Sequence, residues 1–562
     1  MSQNIAPRNG GRILIDALIQ HGVDLAFCVP GESYLAALDA LHDSQVRIKL
    51  VVCRQEGGAA YMAEAYGKLT GKPGICFVTR GPGATNASVG VHTAFQDSTP
   101  MILFIGQVAR DQVEREAFQE IDFRRMFGPM VKWVAEIDDA ARIPELVSQA
   151  FHRAMNGRPG PVVLALPEDM LTDMVTVGDA GHYKVSRPHP GEEEMAAFRD
   201  LLARAERPLV ILGGGGWDAD AVGGFRRFAE ANNLPVGCAF RCQDLFDNTS
   251  DNYAGDVGIG INPKLAQRIK DSDLLIAIGA RLGEMTTSGY TLIDIPVPAQ
   301  KLIHVHAGVE ELGRVYQASL PINSGMAAFV RALGKLPAIS ARRWDGWTRA
   351  ARTDYLENLR HAPIPGKLQM GEIMAWLRQR LPADAILTNG AGNYATWSHR
   401  FYQYRQFRTQ LGPTNGSMGY GVPAGVAAKL VAPDRIVVSF NGDGCFMMNG
   451  QELATAVQYG ANVVFLVINN GMYGTIRMHQ EKTYPGRVSG TELHNPDFVA
   501  LGRAYGAHAE LVEQTADFAP AFERALAAGR PALLELRIDP EAITPKASLS
   551  QLREAALKAR RT

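Results

Sequence analysis

Charge of one sign is the first thing this chain lacks. Its 57 Lys and Arg stand against 58 Asp and Glu, a formal net charge of −1. A balanced surface gives no electrostatic reason to bind nucleic acid or an anionic membrane, and no long basic run supplies one locally. Long hydrophobic runs are missing too: nothing approaches the roughly 18–20 uninterrupted apolar residues of a membrane span. The opening stretch MSQNIAPRNGGRILIDALIQ has no basic start followed by a continuous apolar segment. No secretion signal is therefore expected, and a cytoplasmic protein is. Cysteine is scarce. Cys28, Cys53, Cys76, Cys238, Cys242 and Cys445 are scattered without a CxxC pair, most of them inside apolar runs. They predict buried thiols in a reducing compartment rather than a disulfide framework or a zinc site.

Familiar fingerprints are absent as well. GKLTGKP (67–73) has the wrong glycine spacing for a P-loop and no Ser or Thr after the lysine. There is no HExxH, no GxSxG and no thiolate–histidine cluster with metal spacing. GAGNYA (390–395) fits GxGxxA after a strand, yet the acid that would hold a ribose about 20 residues later is missing. From Gly390 onward the next carboxylate is Asp434. The segment does not read as a nicotinamide site, although its glycines leave backbone N–H groups that can hold phosphate. GGGG at 213–216 admits either that use or a tight strand-to-helix turn.

What is present is a repeated pattern. Short Val/Ile/Leu runs end in glycines and are followed by amphipathic, Ala-rich segments. The first third holds LAFCVPG, IKLVVCR, GICFVTRGPG, MILFIGQ and PVVLALP; the middle holds PLVILGGGG, LLIAIGARLG and KLIHVHA. The last third holds AILTNGAG, RIVVSFNGDG, VVFLVINNG and ALLELRI. Continuous apolar strands alternating with helices predict an α/β protein with parallel sheets flanked by helices. Two linkers are expected, at VSRPHPGEEEM near 185–195 and in the polar, proline-ended stretch around 336–367. They divide the chain into three domains, 1–185, 190–340 and 365–562. In such sheets ligands bind at the carboxyl ends of the strands, where the glycine clusters sit.

One cluster places a carboxylate between glycines. FNGDGCFMMNG (440–450) follows an apolar strand, and about one strand–helix–strand unit later VINNGMYG (467–474) ends another. Neighbouring parallel strands would bring Asp443 and Asn470 to one sheet edge, with a nearby carbonyl as a third oxygen. Magnesium suits such a set, being held by one or two carboxylates together with substrate phosphates. A helix-capping Asp and a turn Asn are the plain alternative, each common alone.

GDG followed by NN resembles the thiamine-diphosphate (ThDP) motif. RQEGGAAYMAEAYGK (54–68), RGPGATN (80–86), DSTPMILFIGQV (97–108), AFQEID (117–122) and GSMGYGVPAG (416–425) follow in family order. Together they are similar to the acetohydroxyacid (acetolactate) synthase group over essentially the whole chain, with pyrimidine-binding, central and diphosphate-binding domains. The resemblance implies that Asp443, Asn470 and the Met472 carbonyl hold magnesium, and that Gly392, Asn393, Tyr394, Gly444, Cys445 and Gly474 lie near the diphosphate. It places Met418 beneath the bent cofactor, with its amide and the Gly416 carbonyl on the pyrimidine edge, and Pro82 and Asn86 beside the cofactor. Glu56 would exchange a proton with the pyrimidine, and Gln119 would lie near the reacting carbon. Gly31, Arg281 and His479 would face substrate.

Some positions depart from the synthases. Tyr394 stands where they often have histidine, and His479 where they usually carry tryptophan. Arg281 in GARLGE matches the first arginine of their RFDDR pattern, but the following DDR is lost. That pattern belongs to their flavin-binding region, so FAD stays open, and Arg281 reads equally as a surface arginine. The implied activity is decarboxylation of a 2-oxo acid with carboligation to a second carbonyl. A non-ligating decarboxylase or another ThDP lyase is the alternative, and a catalytically silent regulatory homologue a remote one. The implied assembly is a homodimer with shared active sites, or a tetramer of it.

Overall fold

The computed structural model describes residues 6–560. The apolar runs become three six-stranded parallel sheets, each flanked by helices. Most of their interior strands are buried along their whole length, as in Met101–Gln107. That explains why they read as continuous rather than alternating hydrophobic segments. By contacts the chain forms two compact units. One comprises the residues up to Ser186 with Val426–Val431 and Ala454–Tyr459; the other comprises Arg187–Gly425, Ala432–Leu453 and the residues from Gly460 on.

In the first unit the strands lie in the order Lys49–Val52, Leu25–Cys28, Gly74–Val78, Met101–Gln107, Pro161–Pro167, Trp133–Glu136. Numbered along the chain this is 2-1-3-4-6-5. Helices Glu56–Thr70 and Gly81–Asp97 press together on this sheet: a Cβ on Gly90 would lie 2.4 Å from the Ala60 Cβ. Only a bare glycine permits that approach. A buried network crosses the same helix pair, in which Lys68 pairs with Asp97 and with Glu64 at 3.2 Å.

The second unit holds two sheets. The middle one runs Tyr253–Val257, Val236–Ala239, Pro208–Leu212, Leu274–Ile278, Lys301–His306, Leu320–Asn323. Its 3-2-1-4-5-6 order is that of dinucleotide-binding folds. The last sheet runs Gln410–Leu411, Ile386–Asn389, Val437–Gly442, Val464–Asn469, Ala532–Arg537, His508–Val512. It repeats the 2-1-3-4-6-5 order of the first sheet. In both, the order reverses between strands 1 and 3, and the crevice there is where such sheets take ligands.

Part of the expected linker at 336–367 is a 14-residue helix, Asp345–Asn358. Trp344, Thr348, Ala351 and Tyr355 are buried at helical spacing inside an otherwise polar stretch. The Trp344 indole donates to the Asn232 carbonyl at 2.9 Å, and Tyr355 stacks edge-on against Tyr253 at 4.9 Å. The charged face hid this stripe. Five of the six free thiols are buried, and Cys242 is half-buried. Among the described residues no helix is long and apolar enough to cross a membrane.

Candidate active site

Strand Val437–Gly442, buried throughout, runs directly into helix Asp443–Asn449. Gly442 pairs in register with Ile468, so Asp443 stands beside the Asn469–Asn470 turn at one sheet edge. Asp443 is 3% exposed. Its Oδ1 accepts the Gly444 amide at 2.9 Å; its Oδ2 accepts the Gly471 amide at 2.9 Å and Asn495 Nδ2 at 2.8 Å. Burial pushes this carboxyl above its ordinary value, while Asn495 and the neighbouring amides pull it back. Asn470 Oδ1 accepts the Met472 amide at 3.3 Å. The segment after it is pinned from outside: the Leu493 amide donates to the Gly471 carbonyl at 2.9 Å and the Tyr473 amide to the Thr491 carbonyl at 2.8 Å.

These residues open on a cavity of about 220 Å³. Gly392, Asn393, Tyr394, Gly416, Met418, Asp443, Gly444, Cys445, Asn470, Met472 and Gly474 all line it. The sequence thus named eleven residues of one cavity from four separate segments. The Asn393 amide donates to Thr475 Oγ1 at 2.9 Å, and that hydroxyl donates to Asn393 Oδ1 at 3.1 Å. Tyr394 lies against two bare glycines: a Cβ on Gly392 or Gly442 would come within 2.7 or 2.8 Å of its ring. Its hydroxyl donates to Cys445 Sγ at 3.1 Å, as does the Gly419 amide at 3.1 Å. Gly416 and Gly419 take left-handed backbone, at φ +69 and +80. Met418 lines the cavity while packing on the buried core behind it.

The first unit gathers the other candidates at its own reversal point. Glu56 opens helix Glu56–Thr70, and Asn86 Nδ2 donates to its Oε2 at 2.9 Å. Pro82 lies in the first turn of helix Gly81–Asp97. A Cβ on Gly83 would stand 3.6 Å from Glu56 Oε1, and one on Gly31 would stand 2.4 Å from the Thr79 Cβ. The Gly81 amide donates to the Gln119 carbonyl at 3.0 Å. Gln119 itself is held at φ +66, with Glu114 at +64 and Glu116 at +53. Glu120 ties this loop by accepting the Glu114 and Ala117 amides at 2.7 and 2.9 Å. Left-handed backbone at three non-glycine residues is costly and gathers at functional sites. Gln119 Oε1 is buried without a hydrogen-bond partner.

Two candidates belong neither to the cavity nor to the Glu56 group. Arg281, half-buried in the middle domain, pairs through Nε with the buried Glu311 at 3.4 Å. His479 is exposed further along helix Gly474–Thr483. Conversely, Asn495 and Thr475 were not foreseen. Neither belongs to a motif, and Asn495 stands 52 residues from the carboxylate it holds.

The middle sheet reverses between Pro208–Leu212 and Leu274–Ile278, where the glycine run 213–216 lies. A Cβ on Gly214 would sit 2.1 Å from the Gly279 carbonyl. Trp217 Nε1 donates to the Gly213 carbonyl at 2.9 Å. Asp218 then caps helix Ala219–Ala231, its Oδ1 accepting the Ala221 amide at 2.8 Å, and Asp220 follows in the first turn. The run is a tight strand-to-helix turn. A dinucleotide's phosphates would meet two carboxylates where this fold ordinarily offers free amides.

Residues 8–126 match the N-terminal TPP-binding domain of thiamine pyrophosphate enzymes, 195–333 their central domain, and 390–536 their C-terminal TPP-binding domain. Three parallel sheets, with the Asp443 cavity on the last, are those of a thiamine pyrophosphate-dependent enzyme. The chain is 34% identical over 538 residues to the acetolactate synthase large subunit of Corynebacterium glutamicum, covering 92% of this chain and 84% of that one. It is 33% identical over 514 residues to the large subunit of Parasynechococcus marenigrum, covering 89% and 82%. With the isozyme 2 large subunit of Escherichia coli it shares 30% over 542 residues, covering 94% and 96%. The chain belongs to the acetolactate synthase large-subunit family.

Proposed function

We propose that this protein is a ThDP- and magnesium-dependent carboligase that decarboxylates pyruvate and joins the two-carbon unit to a second carbonyl, as in acetolactate formation. The observation that carries the reading is the meeting of Asp443 and Asn470 at the mouth of a cavity walled by glycine backbone. This donor set fits the cofactor: a buried carboxylate and an amide oxygen suit a hard cation, and the bare backbone admits a diphosphate. When bound, ThDP would supply a carbon nucleophile for the oxo acid and an electron sink for the loss of CO₂.

The chain's own residues do the rest. Asp443, Asn470 and the Met472 carbonyl hold magnesium, with Asn495 fixing the carboxylate from behind. Backbone groups at Gly392, Asn393, Gly444, Cys445 and Gly474 face the phosphates. Tyr394 acts as a wall, because its hydroxyl is already given to Cys445. Met418 supports the cofactor rings, and the Gly416 carbonyl and Met418 amide hold the pyrimidine edge. Glu56, steadied by Asn86, passes a proton to and from the pyrimidine nitrogen. Gln119 directs its free amide oxygen toward the substrates, with Pro82 and Gly31 shaping that side. Arg281 and His479, which lie outside the cavity, are assigned to the second carbonyl substrate.

Flavin is left out of the proposal, on the ground that Asp218 caps the helix start after the glycine run and Asp220 sets a second carboxylate in its first turn. The reading takes the working form as a cytoplasmic homodimer or tetramer. In support, helix Asp443–Asn449 exposes Met447 and Met448 by 48% and 44%, apolar surface suited to a second copy.

Incubation with pyruvate, ThDP and Mg²⁺, alone and with aldehydes or further oxo acids, tests the reaction. Acetolactate is expected. Acetaldehyde alone would mean that protonation replaces ligation, and no consumption of any 2-oxo acid would overturn the reading.

A further inference from the structure

The dinucleotide-type sheet of the middle domain carries an arginine just past its second strand, where such folds read a ribose or its phosphate. Arg241 is turned to another task. Its Nη2 donates to the Gly390 carbonyl at 2.8 Å and its Nη1 donates to the Pro413 carbonyl. Gly390 opens the turn leading to Gly392 and Asn393; Pro413 precedes the turn leading to Gly416 and Met418. One guanidinium therefore ties together the loops leading into two of the four segments that wall the cofactor cavity.

Three further features show that the contact is built. Arg241 is 8% exposed and holds left-handed backbone at φ +60, a conformation a non-glycine residue adopts at a cost. A Cβ on Gly412 would lie 2.9 Å from Arg241 Cδ, so the absence of a side chain there makes room for the stem. The Gly390 carbonyl also accepts Asn389 Nδ2 at 2.7 Å, which fixes its peptide plane from a second direction. In a trans peptide the following amide, that of Ala391, points opposite to this carbonyl. Ala391 lines the cavity. A charge-assisted bond to the carbonyl also polarises the peptide and strengthens its N–H as a donor to an anion.

We infer that Arg241 is a positioning residue for the cofactor: it presets the two cavity loops and aims backbone donors at the diphosphate. The inference rests on the cofactor reading above. A lysine keeps the charge but cannot fork to two carbonyls.

The comparison uses Arg241→Met, Arg241→Lys and, as a control, Asp244→Ala. Asp244 lies three residues on, in the 3-10 turn Gln243–Leu245, and its carboxylate accepts the Thr409 and Gln410 amides at 3.0 and 3.3 Å. Calorimetric titration with ThDP and Mg²⁺ is expected to show a Kd raised at least about tenfold in Arg241→Met and by less in Arg241→Lys. In Asp244→Ala the melting temperature should fall while the Kd stays within about twofold of the unmodified protein. A Kd within twofold in Arg241→Met would overturn the inference, as would an equal rise in Asp244→Ala, which would signal general loosening. If Arg241→Met does not fold, Arg241→Lys decides, and an unchanged Kd there has the same consequence. An unmodified protein that takes up no ThDP would instead sink the cofactor reading, before any variant is made.

Discussion

Asn495 shows at the residue scale what an unannounced side chain does. Its Nδ2 reaches both Asp443 Oδ2 at 2.8 Å and Asn469 Oδ1 at 3.0 Å, so one amide orients the carboxylate and the turn beside it. A hydrogen bond to a charged group contributes roughly 1.5–3 kcal/mol. Asn495→Ala is accordingly expected to weaken Mg²⁺-dependent ThDP binding by about tenfold or more in calorimetry, with the circular dichroism spectrum retained; an unchanged affinity would leave Asn495 a bystander. Glu56 belongs to chemistry rather than binding. Glu56→Ala should keep ThDP and magnesium yet slow hydrogen–deuterium exchange at the thiazolium C2 by roughly 10²–10⁴-fold. Normal exchange by NMR would remove Glu56 from that role. Asp443, Asn470 and Glu56 were legible because each stands in a short motif. Asn495 was not, because its partners are set by the pairing of the 471–473 and 491–493 segments.

At the scale of elements, the strands read from sequence are mainly the interior ones. Of the six strands of the three parallel sheets that were not foreseen, five are sheet edges: Trp133–Glu136, Tyr253–Val257, Leu320–Asn323, Gln410–Leu411 and His508–Val512. An edge strand is covered less completely, so its sequence need not be continuously apolar. A buried histidine supplies a test at this scale. His21, 3% exposed, caps helix Gly10–Gln20 and packs on Phe151 at 4.5 Å. Its Nδ1 accepts the Tyr183 amide at 3.2 Å, so a proton there would face another N–H. Burial, with His182 and His152 nearby, lowers its pKa from 6.5 to about 4. Above pH 6.5 it is neutral in both folded and unfolded chain, and its contribution is whole. As the pH falls from 6.5 toward 4 only the unfolded chain takes up the proton, so stability falls by up to about 3 kcal/mol. Melting temperatures at pH 7 and pH 4.5 should show a smaller acid loss in His21→Asn than in the unmodified protein. An equal loss would acquit His21.

At the scale of the molecule, the same 2-1-3-4-6-5 order appears in the first and last sheets, with a dinucleotide-type sheet between them in sequence. A ligand that binds only the folded chain stabilises it, by about 2.7 kcal/mol at a hundredfold excess over its Kd. ThDP with Mg²⁺ should therefore raise the melting temperature, and EDTA should cancel the rise; a rise that survives EDTA would remove the metal from Asp443. The middle sheet yields the opposite expectation. Adding FAD should shift neither the melting temperature nor the flavin fluorescence, since Asp218 already fills the helix start and Asp220 adds a second negative charge. Quenched fluorescence on mixing would show that the crevice opens.

Local sequence is enough for the fold class, the interior strands and most of the cavity lining. These rest on local periodicity and on short motifs that a strand end and its turn satisfy on their own. Long-range packing is what sets Asn495 behind Asp443, Tyr394 against Cys445, residues 345–358 as a helix and Arg241 on the cavity loops. Arg241 lies 149 residues from Gly390. A contact at that separation depends on how two packed sheets present their loops, and no spacing along the chain records it.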